Sequence, residues 1–262
     1  MVKSYSQGIV LKKQYGQHFL REQSIVDNMV AAVDLNKESS VFEIGCGDGF
    51  LTRTILKHGK LARLWVFEID PEWATFVSKS MPNPKMTVHQ ENILDVDWSR
   101  FEPNAPWTLL ANLPYQITFP ILHMLQKNRA LLKEGVIMVQ EEVAQKLMKD
   151  SGRGYGFPAL YFQRFFEWKV LDKIPPTAFL PPPKVYSRLL YFKPRKTLEP
   201  ITNEELFWKF IKACFKQPRR TLKNNLNSTH YLNGKIPEEK LILRAQQLSM
   251  EDLMSIWELM QK

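Results

Sequence analysis

Residues 41 to 52 constrain the fold of this 262-residue chain more than any other stretch. Val41-Phe42-Glu43-Ile44 reads as a buried strand, and it runs directly into glycines at 45, 47 and 49 before a helical segment to about His58. Strand, glycine turn and helix form the first half of a βαβ unit, which commits the chain to an open α/β sheet with parallel strands. The second strand, Leu64-Trp65-Val66-Phe67, ends in Glu68-Ile69-Asp70, with Glu68 19 residues beyond Gly49. An acidic residue at that tip is placed to accept hydrogen bonds from both hydroxyls of a ribose, so the ligand has a nucleoside half. The glycines are spaced G-x-G-x-G, and the bulky Phe50 argues against the close helix–strand packing of a dinucleotide pyrophosphate site. No Walker A lysine follows them, which disfavours ATP hydrolysis. Taken alone, the triplet is equally a plain strand-to-helix turn.

Later strand ends carry the rest of the chemistry. Met86-Thr87-Val88-His89 leads to Gln90-Glu91-Asn92, at the point where an adenine ring needs an edge contact; Asn92 or Asp95 could supply it. Leu109-Leu110-Ala111 reads as a buried strand that ends at Asn112-Leu113-Pro114-Tyr115, and strand ends are where an open α/β sheet places its active site. The tetrad offers an amide oxygen, a Pro114 carbonyl expected to be unmasked by any local turn donor, and an aromatic plane. Together they suit an exocyclic amine on a flat ring, such as adenine N6; the competing reading is a loop in which Pro114 and Tyr115 close a turn. Ile117, Ile121 and Leu125 continue as a helical stripe, Gly135 to Val139 reads as the next buried strand, and a helix begins at Glu141-Glu142. The loop 151–156, with three glycines, either covers the substrate side or is an ordinary solvent loop. Tyr161 to Val170 and Tyr186 to Phe192 read as the two closing strands, with the Phe179 to Pro183 turn between them near the active end. Phe179 is then either a second aromatic face for the base or part of the core.

Residues 1 to 20 form a basic arm with Lys3, Lys12 and Lys13, ending in Gly16-Gln17-His18-Phe19-Leu20. Ser24 with Asp27 looks like a helix start, and Ile25, Met29 and Val33 keep helical spacing. The net charge of +9 favours a polyanionic partner. Two cysteines, Cys46 and Cys214, can build neither a disulfide framework nor a cysteine-rich zinc site, so no metal is expected and a reducing cytoplasm is. No apolar run approaches the roughly 18 residues of a membrane span.

Lys193-Pro194-Arg195-Lys196 marks a domain boundary, giving a catalytic domain over 1–193 and a small helical domain over 194–262. Thr202 with Glu205 forms a capping box, and Phe207, Phe210, Ile211, Cys214 and Phe215 make one apolar stripe. The same helix and its extension carry Lys209, Lys212, Lys216, Arg219, Arg220 and Lys223. One sign of charge over that span is the pattern of phosphate contact, although a charge run is also how a solvated face looks. Ser249 and Asp252 start a last helix with Leu253, Ile256, Trp257 and Met260 inward.

Six ordered motifs together resemble the rRNA adenine dimethyltransferases: Gly16-Gln17-His18-Phe19-Leu20, Glu43 to Gly49, Glu68-Ile69-Asp70, Asn112-Leu113-Pro114-Tyr115, Gln140-Glu141-Glu142-Val143-Ala144 and Phe179-Leu180-Pro181-Pro182-Pro183-Lys184-Val185. The resemblance implies a Rossmann-like class I S-adenosylmethionine methyltransferase fold with a mostly parallel seven-stranded sheet and a small C-terminal helical domain. It implies S-adenosylmethionine as cofactor, held by positions matching His18, Leu20, Gly45, Gly47, Glu68, Asn92 and Asn112. Asn112, Leu113, Pro114 and Tyr115 would hold the reacting adenine; the position of Phe179 adds it as a candidate beside them, and the run of one charge adds Lys212, Lys216, Arg219, Arg220 and Lys223 as candidates for RNA contact. Two positions depart from the common pattern: His18 stands where many members have Asn, and Asn92 where the family usually has Asp, an exchange that keeps an acceptor and drops a charge. The implied product is N6,N6-dimethyladenosine on adjacent adenosines near the 3′ end of small-subunit rRNA, made during ribosome assembly by a cytoplasmic monomer acting on the rRNA or a pre-30S-type particle. Alternatives are the large-subunit antibiotic-resistance branch, DNA adenine methylation, or an assembly factor of the same fold without turnover. The Asn-Leu-Pro-Tyr and Pro-Pro-Pro-Lys-Val forms look more like the small-subunit branch.

Overall fold

Side-chain alternation along the central strands creates two chemically different apolar faces, and these set the layers of the larger of two compact units. In a computed structural model of the chain, which describes residues 5–12, 16–58, 60–231 and 234–261, segments 1–144 and 167–194 form this unit and segments 145–166 and 195–262 form the second. Lys3 and Lys13 lie outside the described residues. The break at Pro194 falls beside the boundary expected from composition, but the 145–166 segment groups with the second unit rather than with the larger one.

The larger unit opens with a hairpin of β1 (Tyr5–Ser6) and β2 (Ile9–Val10), then β3 (Phe19–Leu20) and helix α1 (Gln23–Ala31). Helix α1 starts one residue before Ser24, without a side-chain cap, and buries Ile25 and Met29 as the spacing predicts. The sheet follows: β4 (Ser40–Ile44), α2 (Phe50–His58), β5 (Arg63–Phe67), α3 (Pro71–Ser80), β6 (Met86–His89), β7 (Trp107–Asn112), α4 (Thr118–Lys127) and β8 (Leu132–Gln140). Strands β4 to β8 pair in parallel, as expected where helical crossovers join them. On one face, Val41, Leu64, Val66 and Leu110 meet Val26, Met29 and Ile55 in an aliphatic core. Their strand neighbours Phe42, Trp65, Phe67 and Trp107 face an aromatic cluster with Trp98 and Phe101, whose rings lie 4.4 Å apart. Such two-sided burial explains why these strands read as nearly unbroken apolar runs.

Past β8, helix α5 (Glu141–Leu147) begins where the sequence placed it, but the next segment corrects the reading. Tyr161 to Val170 is not one strand: α6 (Phe157–Phe165) occupies its first half, and β9 (Phe166–Ile174) begins only after Phe165. Pro158 sits in the first helical turn, and Ala159, Leu160, Phe162 and Phe165 are the buried positions, a helical and not an alternating pattern. Strands β10 (Phe179–Leu180) and β11 (Ser187–Pro194) close the series. Strand β11 runs antiparallel to β8, with Ser187 opposite Gln140, and the seven-stranded order is β6-β5-β4-β7-β8-β11-β9.

The second unit is helical: α6 together with α7 (Glu204–Cys214), α8 (Leu222–Leu226), α9 (Glu238–Leu241) and α10 (Met250–Gln261). Phe157, Tyr161 and Phe165 of α6 pack on Trp208, with centroids 4.8 to 6.2 Å apart. The expected Thr202/Glu205 capping box is absent, because Asn203 is the N-terminal flanking residue, in a left-handed conformation, with no side-chain cap. Thr202 instead gives its carbonyl to the Trp257 indole N–H at 2.6 Å. The reciprocal box forms at α10, where Asp252 N–H donates to Ser249 Oγ at 3.1 Å and Ser249 N–H donates to Asp252 Oδ2 at 3.0 Å. No helix among the described residues is long and apolar enough to cross a membrane.

Gly135 shows how tightly β8 is packed. A Cβ there would stand 2.6 Å from the Phe192 ring and 2.8 Å from the Leu109 carbonyl, and the carbonyl belongs to a paired backbone that cannot step aside. Gly135→Ala is therefore expected to lower stability by about 1–3 kcal/mol through overpacking. Urea denaturation checks it; an unchanged midpoint would show that the strand relaxes.

Candidate active site

The loops that follow the carboxyl ends of β4, β5, β6 and β7 lie side by side and are tied together through the backbone. Gly45 N–H donates to Phe67 O at 2.8 Å, Glu68 N–H to His89 O at 3.0 Å and Leu113 N–H to Met138 O at 3.1 Å. They line one cavity, whose wall includes His18, Leu20, Gly45, Gly47, Glu68, Asn92 and Asn112 to Tyr115. Every expected cofactor position is thus brought to the same place. Of the expected adenine-holding residues, Phe179 is the exception: it is 4% exposed, packs in the aliphatic core and does not line the cavity.

At the β5 end, Glu68 is fixed by two backbone donors, Gly47 N–H at 3.1 Å to Oε2 and Asp70 N–H at 2.9 Å to Oε1. Burial pushes its carboxyl pKa up, against the pull of these two donors. Gly47 adopts φ +51°, and a Cβ there would meet the Phe19 ring at 2.7 Å. The glycine is needed for the arm to lie against the loop as well as for the turn itself.

The arm is held over the cavity by short strand pairing. In the ladder of β3 with β10, Phe179 pairs with Leu20 and Leu180 with Phe19, and Arg21 N–H extends it to Ala178 O at 2.8 Å. His18 Nδ1 lies 2.8 Å from Pro181 O; a carbonyl only accepts, so Nδ1 carries the proton. The His18 carbonyl in turn accepts from Asn112 Nδ2 at 3.3 Å. With its donor end engaged, the Asn112 amide has its oxygen free among the described residues, the end that an exocyclic amine would need.

The tetrad differs from expectation at Pro114. Its carbonyl is masked, accepting from Ile117 N–H at 3.2 Å and from the Thr118 hydroxyl at 3.3 Å, because the chain turns at once into a helix. Tyr115 stacks on His18 with centroids 5.9 Å apart and planes 24° apart, and its hydroxyl lies 2.6 Å from Ser187 Oγ. Burial raises the Tyr115 pKa, so the phenol stays neutral.

Sequence reasoning missed Glu43, Asp48, Gln17 and Lys12. Glu43, 1% exposed, lines the cavity floor and accepts from the Thr52 hydroxyl at 2.7 Å. Asp48 accepts from Ser6 Oγ at 2.9 Å and pairs with Arg21 at 2.7 Å. Lys12 Nζ reaches Asp70 at 2.7 Å, and Gln17 Nε2 reaches the other Asp70 oxygen at 3.0 Å. A signal existed: three acidic residues, at 43, 48 and 68, flank the glycines, and buried carboxylates need partners.

These residues fit a positively charged nucleoside ligand. Acidic side chains at 43, 48 and 68 line the cavity, with Glu43 protonated until about pH 8 and Asp48 paired with Arg21; Glu68 is oriented for a ribose, and Ile69 and Ile93 offer apolar surface for a flat ring beside Asn92. S-adenosylmethionine, with its sulfonium and ammonium charges, has that character.

In the helical unit, the expected RNA-contacting residues do not share one helix. Helix α7 stops at Cys214, so Lys216, Arg219 and Arg220 sit on a loop and Lys223 on α8. Lys223 pairs with Glu238 at 3.0 Å, and Lys212 lies over the Phe157 ring at 4.9 Å. Lys216, Arg219 and Arg220 are exposed. Asn225, 5% exposed, shapes their loop: its Oδ1 accepts from Gln217 N–H at 2.9 Å, and its Nδ2 donates to Gln217 O at 3.1 Å and Arg220 O at 3.4 Å.

The family model for ribosomal RNA adenine dimethylase matches residues 9–262. The chain belongs to that family. Among relatives of this dimethylase, a ribosomal RNA small subunit methyltransferase A from Chlorobium phaeobacteroides is 35% identical over 251 residues, covering 95% of this chain and 91% of the relative. One of the same name from Syntrophotalea carbinolica is 37% identical over 220 residues, covering 82% and 81%. A dimethyladenosine transferase from Plasmodium falciparum has the same fold, with a TM-score of 0.76 at 21% identity over 91% of this chain and 96% of that one. The 23S rRNA methyltransferase ErmE gives 0.73 at 21% identity over 93% and 100%. The fold shared with these two solved structures is a mostly parallel seven-stranded sheet with helices.

Burial and the nearby Glu68 push the Glu43 pKa from its ordinary 4.5 up to about 8, although Thr52 opposes the shift. Over that interval the folded chain keeps a proton that the unfolded chain has lost, so this group's contribution to stability falls as pH rises from 4.5 to about 8. Glu43→Gln cannot ionise, and its urea midpoint is expected to fall less than the wild-type midpoint across this range. Parallel declines would show that Glu43 is already ionised in the fold.

Proposed function

We propose that this chain dimethylates adenosine at N6 in small-subunit rRNA, using S-adenosylmethionine, as a cytoplasmic monomer that acts during ribosome assembly. The observation that carries the reading is the strand-end amide of Asn112, turned by the His18 carbonyl so that an acceptor is free in a cavity that also holds the Glu68 carboxylate. When bound, S-adenosylmethionine supplies an activated methyl group on a sulfonium that leaves as a neutral thioether.

The chain's own residues align the nucleophile. In the first transfer Asn112 Oδ1 accepts one N6 hydrogen of the target adenine and the Leu113 carbonyl accepts the other, since the Pro114 carbonyl is already engaged by Ile117 and Thr118; in the second transfer one of these acceptors holds the hydrogen that remains. Drawing both hydrogens to one side favours a more tetrahedral nitrogen whose lone pair points at the methyl carbon. Tyr115, braced by Ser187 and His18, stacks on the base. Glu68 holds the cofactor ribose, and Asn92 its adenine. A base inside a helix or stack cannot reach this cavity, so the nucleotide is extruded first. The tetrad offers acceptors and a neutral phenol but no strong base, so its contribution is orientation, and the acidic proton left on N6 after each transfer passes to solvent. Lys216, Arg219 and Arg220 hold phosphates, on a loop that Asn225 has already shaped.

Two outcomes test this reading. Asn112→Ala is expected to reduce methyl transfer from labelled cofactor to rRNA by about 100-fold or more, the scale seen when a positioned transition-state partner is removed, while RNA affinity stays near wild type. Equal loss of RNA affinity would place Asn112 in RNA binding instead, and transfer to large-subunit rRNA or DNA alone would reassign the substrate. Arg219→Glu with Arg220→Glu is expected to weaken RNA binding at every sequence and to flatten the slope of log affinity against log salt by roughly 0.9 per lost phosphate contact, with cofactor binding spared. An unchanged slope would remove this loop from the RNA interface.

A further inference from the structure

Asn92 is an amide at the cavity wall, and the same surface turn holds both of its ends. Its Nδ2 donates to Asp95 Oδ2 at 2.8 Å, and its Oδ1 accepts from Leu94 N–H at 3.2 Å. Neither partner can exchange roles: an ionised carboxylate only accepts, and a backbone N–H only donates. Rotating the amide by half a turn would set its oxygen against the Asp95 carboxylate and its NH₂ against the Leu94 N–H. Two favourable contacts would become two repulsive ones. An amide held this way presents an acceptor and a donor to the cavity in fixed positions, one oxygen lone pair and one N–H remaining after the turn is satisfied.

A fixed amide distinguishes purines that a free one cannot. Adenine offers a 6-amino donor beside the N1 acceptor; hypoxanthine offers a 6-oxo acceptor beside an N1–H donor, the reversed pattern. A freely rotating Asn reads either by turning over. We propose that Asp95, by locking the Asn92 amide, is the specificity-determining residue that makes this site select a 6-amino over a 6-oxo purine nucleoside. Asp95 acts through Asn92 and is a positioning residue, not a catalytic one. The same geometry gives the carboxamide at position 92 a reason. A second carboxylate there would face Asp95 across hydrogen-bond distance, so residues 92 and 95 work as a pair in which one partner must donate.

The inference rests on reading this cavity as the adenosyl site, and the experiment separates the two. Calorimetry with S-adenosylhomocysteine and its inosine counterpart, S-inosylhomocysteine, gives a selectivity ratio for each variant; a mere loss of folding would weaken both ligands and leave that ratio alone. Asp95→Ala and Asp95→Asn are expected to narrow the ratio by about fivefold, the scale of one hydrogen bond, mainly through tighter binding of the inosine ligand. Asn92→Asp alone is expected to weaken S-adenosylhomocysteine binding by about tenfold, the scale of one like-charge contact or one charged hydrogen bond. Adding Asp95→Asn in that background should recover most of it, because the new amide at 95 can donate to the new carboxylate at 92. An unchanged ratio in both Asp95 variants, with Asn92→Ala still weakening S-adenosylhomocysteine, would reduce Asp95 to a turn residue and overturn the proposal. If the wild-type chain does not bind S-adenosylhomocysteine, or Asn92→Ala leaves both affinities unchanged, the adenosyl reading of the cavity falls and the proposal falls with it.

Discussion

A few antiparallel hydrogen bonds between the basic arm and the segment before β11 organise the whole site. Pairing of Phe19–Leu20 with Phe179–Leu180, prolonged by Arg21 to Ala178 and by His18 to Pro181, fixes the arm's backbone. The fixed backbone presents the His18 carbonyl to Asn112, and that carbonyl decides which end of the Asn112 amide is free. Three motifs separated by up to about 160 residues thus act in series, and the acceptor offered at the end of β7 is set by a contact that begins at residue 178. An isolated two-residue strand pair would not survive in water. This one persists because Phe19, Leu20 and Phe179 are buried and because Arg21 and Lys12 clamp the arm to Asp48 and Asp70.

Charge is arranged with equal economy. The cavity wall carries more acidic groups than a ribose requires, and the structure treats them differently. Asp48 is paired with Arg21, Glu68 is stabilised by backbone donors, and Glu43 accepts from the Thr52 hydroxyl and keeps its proton. Ionising a buried carboxyl without a cation is costly, so Glu43 keeps its proton in the free fold, and a cationic ligand lowers the cost of releasing it. Residues that weaken the free protein can in this way favour the bound one.

The central sheet was legible in the sequence because its strands are buried on both faces and read as continuous apolar runs. Its strand-end motifs were legible because glycines, an acidic tip and a polar tetrad interrupt those runs. Where the sequence misled, short-range competition was the cause. Aromatic residues from Tyr161 to Phe165 have high strand propensity, but helical burial against Trp208 overrides it. Thr202 and Glu205 have the capping-box spacing, yet Asn203 flanks the helix and the Thr202 carbonyl is committed to Trp257. The Pro114 carbonyl has no donor in its own tetrad and finds two in the helix that follows. Phe179 looked available for stacking because a motif shows neither side of its own backbone. The Asn92–Asp95 pair lies three residues apart in plain view, but only geometry shows which end of the amide faces which partner.

The helical unit is discontinuous in sequence: residues 145–166 leave the larger unit, and the chain returns to complete β9 and β11 before 195–262 follows. Its aromatic core joins Tyr161 and Phe165 on the first piece to Trp208 on the second. During N-to-C synthesis, α6 therefore emerges long before its packing partner, and its apolar side waits for residues made after the sheet's last strand. An autonomous C-terminal fragment cut at the compositional boundary would lack α6 and carry a Trp208 with no aromatic partner from that helix. A chain divided at the linker would therefore divide the second unit's core between its two pieces.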